Sequence, residues 1–325
     1  MKFAAFLKKN GFVLGLLLAL IVSDLLISWW NPMVSSRRFY KNDFTKTLFH
    51  HNWSQSGPVF FGNSSVTAAY IEEQSDSHLI EMGLSYGKIT DLKEILDRGL
   101  YHVQDELVVG IDVHTMLDSL ETDPTYPWFK PWYQPYVYTY RDYFRDSGTE
   151  FACALYEGLS KQDASRMEAC AKFPETLKLS KSDPFAYQPR WIDKELYHNR
   201  IDDAALKEKW ADYDKRFGWM TLKDFQDNLD ALQWVLEYAK AHNLTLRVIW
   251  MPWNKGYEQP PYVASLKQTV NAQLEQAHVP VLDLLDHYEP QYFHDLVHLN
   301  REDGAPLFTK EVDAWLHSLE KPSKS

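Results

Sequence analysis

The stretch Val59-Phe60-Phe61-Gly62-Asn63-Ser64-Ser65 contains the sharpest change of pattern in the chain. An apolar run typical of a buried strand ends in a glycine, a small polar residue and two serines, and a helix-like pattern follows over residues 66–74. This order of strand, tight turn and helix places Ser64 at the carboxyl end of the strand, where the first N–H groups of the helix face whatever its hydroxyl attacks. The alternative is a structural turn with a helix N-cap, since Gly, Asn and Ser favour both.

Apolar segments and helical patterns alternate through the rest of the chain. Strands are predicted at residues 78–84, 106–111, 244–251 and 279–284, and helices at residues 89–100, 221–239, 261–278 and 304–319. This alternation predicts an α/β fold with a parallel sheet of about five strands, covered by helices on both faces. Ligands of such sheets bind beyond the carboxyl ends of the strands. We expect Ser64, Gly83, Asp112 and the segment 295–298 to converge there.

Three blocks of the sequence resemble the SGNH/GDSL hydrolases. Gly62-Asn63-Ser64 resembles the Gly-Asp-Ser nucleophile block, with Asn63 where the family has Asp. Gly83 matches the glycine of the second block, and Asp295-Leu296-Val297-His298 matches the final Asp-x-x-His block. The resemblance covers residues 59–112 and 244–325 in the family's order. It implies a three-layer, flavodoxin-like SGNH fold and a serine-dependent acyl chemistry that needs no cofactor and no metal.

The resemblance implies a catalytic triad of Ser64, His298 and Asp295. A serine hydroxyl is a weak nucleophile and needs a base within hydrogen-bond reach. His298 would take its proton, while Asp295 would orient the imidazole and stabilise it when charged. Ser65 is the rival nucleophile, although as the next residue along it suits a helix cap.

Two backbone N–H groups, those of Ser64 and Gly83, are expected to stabilise the oxyanion of the tetrahedral intermediate. The third block departs from the family's pattern. The family has Gly-x-Asn there, with an Asn side chain that helps to bind the oxyanion, and this chain has Gly110-Ile111-Asp112. An ionised Asp112 would repel an oxyanion. We expect Asp112 to lie close to the site.

Two other interpretations of the final block remain open. His294 and His298 have the i, i+4 spacing of the zincin pattern His-Glu-x-x-His, although Asp295 replaces Glu and no third ligand motif follows. The second alternative is a purely structural Asp-x-x-His turn.

The amino-terminal segment 11–30 is a nearly unbroken apolar run that ends in Trp29-Trp30. Its length matches the roughly 20 residues that cross a bilayer as a helix. Lys8 and Lys9 precede it, and no small-x-small cleavage site follows it, so we predict an uncleaved signal anchor over residues 1–32 rather than a cleaved signal peptide. The amino terminus would face the cytoplasm, with the rest of the chain outside it.

Beyond the anchor, we predict a juxtamembrane connector over residues 33–57, with one short helix near 44–49, and an SGNH-like domain over residues 58–325. This domain contains an insertion at about 115–218, which is rich in proline and aromatic residues at 123–136. The insertion is either a lid or platform that stacks on sugars, on the membrane interface or on a partner, or a loop packed on the sheet. It carries Cys153 and Cys170, which could pair outside the cytoplasm.

The formal net charge of -11 argues against a nucleic-acid partner. The anchor, the Phe-Gly-x-Ser-Ser form of the first block and the added middle segment resemble the membrane-anchored DltD type. That resemblance implies acyl transfer to a cell-envelope polysaccharide or polymer at the cytoplasmic membrane, beside a membrane-bound O-acyltransferase. The alternatives are an extracytoplasmic carbohydrate esterase or deacetylase with the same triad, and a non-catalytic assembly or binding protein that has kept the fold.

Overall fold

The computed structural model describes residues 2–30, 43–52, 54–119 and 196–319. The chain divides into two compact units. One comprises Met1–Lys41 and Pro127–Asp193, and its described part is helix α1, Lys2–Trp30. The other comprises Asn42–Tyr126 and Lys194–Ser325 and contains the remaining described elements.

No helix among the residues that the structure describes has the combination of length and hydropathy expected of a membrane-spanning helix. Cys153, Cys170 and the aromatic segment 123–136 lie outside the described residues. The anchor, the disulfide and the lid therefore stay predictions.

The second unit is built on a five-stranded parallel sheet with the order β2-β1-β3-β4-β5. Its strands are β1 Ser56–Asn63, β2 Ile80–Leu84, β3 His102–Ile111, β4 Thr245–Trp250 and β5 Val281–Asp283. The helices of this unit are α2 Asp43–His50, α3 Ser64–Ala69, α4 Ile89–Asp97, α5 Asp203–Phe217, α6 Gln226–Ala241, α7 Tyr262–Gln276 and α8 Gly304–Leu319. The predicted α/β class and the five parallel strands are confirmed, and the strand order is that of flavodoxin-like folds.

The core lies between the sheet and its helices. Successive residues of a strand point to opposite faces of the sheet, so each face carries side chains that can pack against helices. On one face, Phe60 of β1 and Val108 of β3 pack with Phe308 and Val312 of α8 in a single apolar cluster. The rings of Phe60 and Phe308 are stacked with their centroids 6.2 Å apart. Helices α4 and α6 pack against each other, and α6 also contacts β4 and α7. Helices therefore cover the sheet as the alternating sequence pattern predicts.

The domain begins earlier than residue 58, which was the predicted boundary. Helix α2 lies within the predicted connector and packs against β2. Phe44 and Leu48 lie four residues apart on one face of α2, and both are buried. Asp43 Oδ2 accepts a hydrogen bond of 2.6 Å from the Ser85 backbone N–H, which ties α2 to the loop after β2.

The bounds of several elements also differ from those predicted. β3 begins at His102 rather than at residue 106, since Ser56 and Gly57 of β1 pair with His102 and Val103 ahead of an irregularity in the register. The helix predicted from Thr221 begins as a 3-10 turn, Leu222–Phe225, and becomes α-helical only at α6. A capping box precedes this turn, in which the Thr221 N–H donates to Asp224 Oδ2 at 2.9 Å.

Candidate active site

The candidate site lies at the point where the strand order reverses, between the carboxyl ends of β1 and β3. In open α/β sheets this is where ligands bind. β1 ends at Asn63 and α3 begins at once with Ser64, as the sequence predicts. A Cβ atom on Gly62 would lie 2.3 Å from Val66 Cγ2, so only glycine lets α3 start this close to the strand.

Asn63 holds the turn through both ends of its side-chain amide. Its Oδ1 accepts a hydrogen bond of 2.8 Å from the Ser65 N–H and caps α3. Its Nδ2 donates to both carboxylate oxygens of Asp112, at 2.8 and 3.0 Å. The helix cap is therefore Asn63 and not Ser65, the residue expected to cap it, since the Ser65 hydroxyl is buried without a hydrogen-bond partner among the described residues.

Asp112 lies close to the site, as expected, but it does not present a bare charge to an oxyanion. Its side chain is buried at 6% exposure, and Oδ1 also accepts the Thr115 N–H at 2.9 Å. The two departures from the family's pattern, Asn63 and Asp112, thus contact each other as an amide and a carboxylate. The predicted oxyanion or substrate role of Asp112 is corrected to a structural one, because its oxygens are occupied by donors from β1 and from its own turn.

Exchanging these two groups should reveal this pairing. In Asn63→Asp, a second carboxylate replaces the Nδ2 donor beside the buried Asp112, and we expect a loss of about 2–3 kcal/mol in the free energy of unfolding. The double variant Asn63→Asp/Asp112→Asn restores one donor between the two side chains and should recover most of this stability. Urea unfolding of the single and double variants measures the coupling. Equal stability of Asn63→Asp and the wild type would contradict the pairing.

The structure brings together the three residues of the expected triad. Ser64 Oγ lies 2.8 Å from His298 Nε2. His298 Nδ1 lies 2.9 and 3.0 Å from the two carboxylate oxygens of Asp295. Both distances are within the range for a nucleophile, its base and the group that orients the base. If Asp295 accepts the Nδ1–H, His298 Nε2 is free to accept the Ser64 proton.

Asp295 is held in its ionised form. Oδ1 accepts the backbone N–H groups of Val297 and His298 at 3.1 and 3.0 Å, and Oδ2 accepts Lys209 Nζ at 2.8 Å. Burial alone would raise the pKa of Asp295. The electrostatic interaction and hydrogen bond with His298, followed by those with Lys209, outweigh burial and hold the pKa of Asp295 well below its usual range. Asp295 therefore remains an anion that can stabilise a protonated His298.

The segment around Asp295 is a closed loop rather than a helix. Phe293 and Leu299 form an antiparallel bridge, and the His294 N–H donates to the His298 carbonyl at 2.7 Å. Asn254 is fully buried, and its Nδ2 donates to the Asp295 carbonyl at 3.1 Å. The zincin interpretation required helical i, i+4 spacing of His294 and His298. It does not hold, because the loop directs His294 Nδ1 to the Asn199 carbonyl at 2.7 Å.

Gly83 does not supply the predicted oxyanion donor. Its backbone N–H donates to Glu81 Oε1 at 2.5 Å. Gly83 is the last but one residue of β2 and pairs in register with Gly62. A Cβ atom there would lie 2.3 Å from Thr67 Oγ1, which accounts for the glycine by close packing against α3. The prediction about its amide is corrected accordingly.

A cavity of about 570 Å³ opens over Ser64 and His298. One face of α5 forms part of its lining, with residues at helical spacing: Ala205, Glu208, Lys209, Asp212, Tyr213 and Arg216. α5 falls within the insertion predicted at about 115–218 and was not among the predicted site elements. The signals for it were present, since Asp202 caps its first turn and Gly218 follows its last.

Tyr197 covers one face of the His298 imidazole. Its ring is stacked on His298 with the centroids 3.9 Å apart and the planes 5° from parallel. The Arg301 N–H donates to the Tyr197 carbonyl at 2.9 Å, and the Ile201 N–H donates to the His294 carbonyl at 3.0 Å. These backbone bonds fix the segment before α5 on the loop that carries His298.

Replacing Lys209 tests the contact between α5 and the triad. Lys209→Met removes the charge next to Asp295 Oδ2, so the pKa of Asp295 should rise and the carboxylate should be less firmly oriented. The Lys209 side chain is 52% exposed, so the pair contributes at most about 1 kcal/mol. This corresponds to a loss of about fivefold in kcat/KM for an ester substrate. The matched control is Lys207→Met, an exposed lysine two residues away on α5, and an equal effect of both variants would contradict a specific role.

No protein-family model matches the chain, and no curated protein does so. Among solved structures, the chain is similar to the crystal structure of an acetyl xylan esterase, AlAXEase. The similarity covers 81% of this chain and 98% of that one, at 12% sequence identity and a TM-score of 0.37. Values this low carry no argument about function.

Proposed function

We propose that this protein transfers acyl groups through a covalent ester on Ser64. The observation that supports the proposal is the continuous chain of contacts Ser64 Oγ, His298 and Asp295, with 2.8 Å between Oγ and Nε2. The three residues are separated by up to 234 positions, yet they meet at the floor of one cavity. A structural turn would not require a serine hydroxyl to face an imidazole there.

The chemistry proceeds in two balanced steps. His298 Nε2 takes the Ser64 proton while Oγ bonds to the acyl carbon, and the donor's alcohol or thiol leaves with that proton. An acceptor hydroxyl then loses its proton to His298 and attacks the acyl carbon, and the proton returns to Ser64 as the ester on Oγ breaks. Asp295 stabilises the imidazolium in both steps. The Ser64 N–H, at the first position of α3, faces the developing oxyanion.

The acceptor that we propose is a hydroxyl of a cell-envelope polysaccharide. Aromatic side chains of Tyr86, Tyr197 and Phe217 line the cavity together with charged groups of α5. Flat rings and several hydrogen-bonding groups are the chemistry that sugars require. The predicted anchor at 11–30 would hold the domain at the outer side of the cytoplasmic membrane, where a membrane-bound O-acyltransferase could supply the acyl donor. This is the arrangement that the DltD-type resemblance implies.

A fluorophosphonate probe tests the serine mechanism. We expect the purified wild-type protein to be labelled at Ser64, because an activated serine attacks the phosphorus as it would an acyl carbon. Mass spectrometry of the digested protein identifies the modified residue. The Ser64→Ala variant should remain unlabelled, and the His298→Ala variant should be labelled far more slowly. An unlabelled wild-type protein that is folded would contradict the enzyme proposal and favour the binding-protein alternative.

A further inference from the structure

The oxyanion site has fewer donors than the sequence predicts. Three residues were predicted to contribute to this site: Ser64, Gly83 and Asp112. The Gly83 N–H donates to Glu81, and the Asp112 side chain accepts hydrogen bonds instead of donating them. The Ser64 N–H is the one of these three that remains for the acyl oxygen. A single donor is a weak oxyanion site, since each donor contributes a large part of the transition-state stabilisation.

His114 lines the same cavity and has no role in the triad. It lies two residues beyond Asp112, at the start of the 3-10 turn His114–Met116 that follows β3. It shares the cavity lining with Ser64 and His298. Its ring stands nearly perpendicular to the rings of Tyr213 and Phe217, with centroids 5.4 and 5.3 Å away. These two α5 residues fix the orientation of the imidazole.

The ring nitrogens of His114 make no hydrogen bond to any residue that the structure describes. Burial lowers the pKa of His114 below 6.5. Electrostatic interactions with Asp112 and Asp295 raise the pKa of His114, whereas those with His298 and Arg216 lower it further. The imidazole is therefore neutral near pH 7, with one N–H donor. A neutral imidazole can polarise a carbonyl group by donating a hydrogen bond.

We propose that His114 donates its N–H to the acyl oxygen of the substrate while Ser64 attacks the acyl carbon. His114 thereby does what the Asn side chain of the third block does in the family that this chain resembles, from two residues further along. No proton is transferred by His114: the hydrogen bond shortens as negative charge develops on the acyl oxygen and lengthens when the carbonyl re-forms. The inference rests on the proposed function, because it requires the Ser64 ester to form.

The test uses His114→Phe in the full chain. Phenylalanine keeps a ring between Tyr213 and Phe217 but has no N–H. The two readouts are the fluorophosphonate labelling rate and the kinetics of p-nitrophenyl acetate hydrolysis. We expect kcat and the labelling rate to fall by about 100-fold while KM changes little, because the lost contact acts in the transition state. The control is His287→Phe, an exposed histidine outside the cavity, which should match the wild type.

A second pair of variants keeps the test independent of ring packing. His114→Gln and His114→Met have similar lengths and both lack the ring, but only glutamine can donate a hydrogen bond. We expect the Gln variant to exceed the Met variant at least tenfold in labelling rate. Equal rates for the two, wild-type rates for His114→Phe, or a change in KM alone would each overturn the inference. In all three cases labelling that depends on Ser64 would leave the proposed function standing, whereas an unlabelled wild type would remove both.

Discussion

Replacing Ser64 by alanine is expected to lower the turnover of acyl esters by about a million-fold, to the level of the reaction without the triad. The reason is that Oγ is the atom that bonds to the acyl carbon, and alanine leaves His298 with no nucleophile to activate. In cells, Ser64→Ala should abolish acylation of the envelope polymer while the amount of protein is unchanged. Ester release from the isolated polymer, together with an immunoblot for the protein, measures both quantities.

The neighbouring serine is the matched control for this variant. Ser65 is buried at 1% exposure, and its N–H is bonded to Asn63 Oδ1. Its hydroxyl makes no hydrogen bond to a described residue, whereas Ser64 Oγ lies 2.8 Å from His298 Nε2. Ser65→Ala should therefore retain activity within a few-fold of the wild type. Loss of activity in Ser65→Ala with activity retained in Ser64→Ala would identify Ser65 as the nucleophile instead.

A strain that lacks the protein separates transfer from hydrolysis. Loss of polymer esters in that strain supports acyl transfer. A gain of esters would show that the protein removes acyl groups, as an esterase with the same triad would. An unchanged ester content would contradict both enzymatic proposals and favour the binding protein. The same strain is then complemented with Ser64→Ala or with Ser65→Ala. If Ser64 is the nucleophile, only Ser65→Ala should restore the wild-type ester content.

Local patterns were sufficient to predict the elements that carry Ser64, Asp295 and His298. The change from Val59-Phe60-Phe61 to Gly62-Asn63-Ser64 marks the end of a strand and the start of a helix within a few residues. Its physical causes, close packing at Gly62 and capping by Asn63, are also local. The Asp-x-x-His segment is similar, because Asp295 Oδ1 binds the N–H groups of residues two and three positions later. Such contacts leave a readable signal in the sequence.

The hydrogen-bond partners across the fold could not be predicted in the same way. The sequence shows Gly83 and Asp112 at strand ends, but the roles of these residues depend on Glu81 and Asn63, whose side chains reach them only once the sheet is assembled. Lys209 lies 86 positions before Asp295 in the sequence, on a helix that was predicted to belong to the insertion, yet the two side chains are in contact. Composition and spacing carry no information about which lysine a buried carboxylate will bind, since only the packing of α5 selects it.

Replacing Asp295 by asparagine is expected to lower kcat by about ten thousand-fold with little change in shape. Asparagine Oδ1 can still accept the N–H groups of Val297 and His298, so the loop should keep its conformation. The new amide would occupy the place of Oδ2, where it meets two donors, Lys209 Nζ and the His298 Nδ1–H. Nδ1 also lies 2.9 Å from Oδ1, but the new amide favours the tautomer that carries its proton on Nε2, in which the imidazole cannot accept the Ser64 proton.

The measurement is ester turnover by Asp295→Asn, and circular dichroism establishes that the variant is folded. The control variant is Asp303→Asn, which changes an exposed carboxylate just before α8. Adding Lys209→Met to Asp295→Asn removes one of the two facing donors. The double variant should therefore be no less active than Asp295→Asn alone, whereas independent effects would multiply. Activity of Asp295→Asn above about a tenth of the wild type would show that His298 is held in its reactive tautomer by something other than this carboxylate. In that case the stacked ring of Tyr197, 3.9 Å from the same imidazole between ring centroids, would be the contact that orients the base.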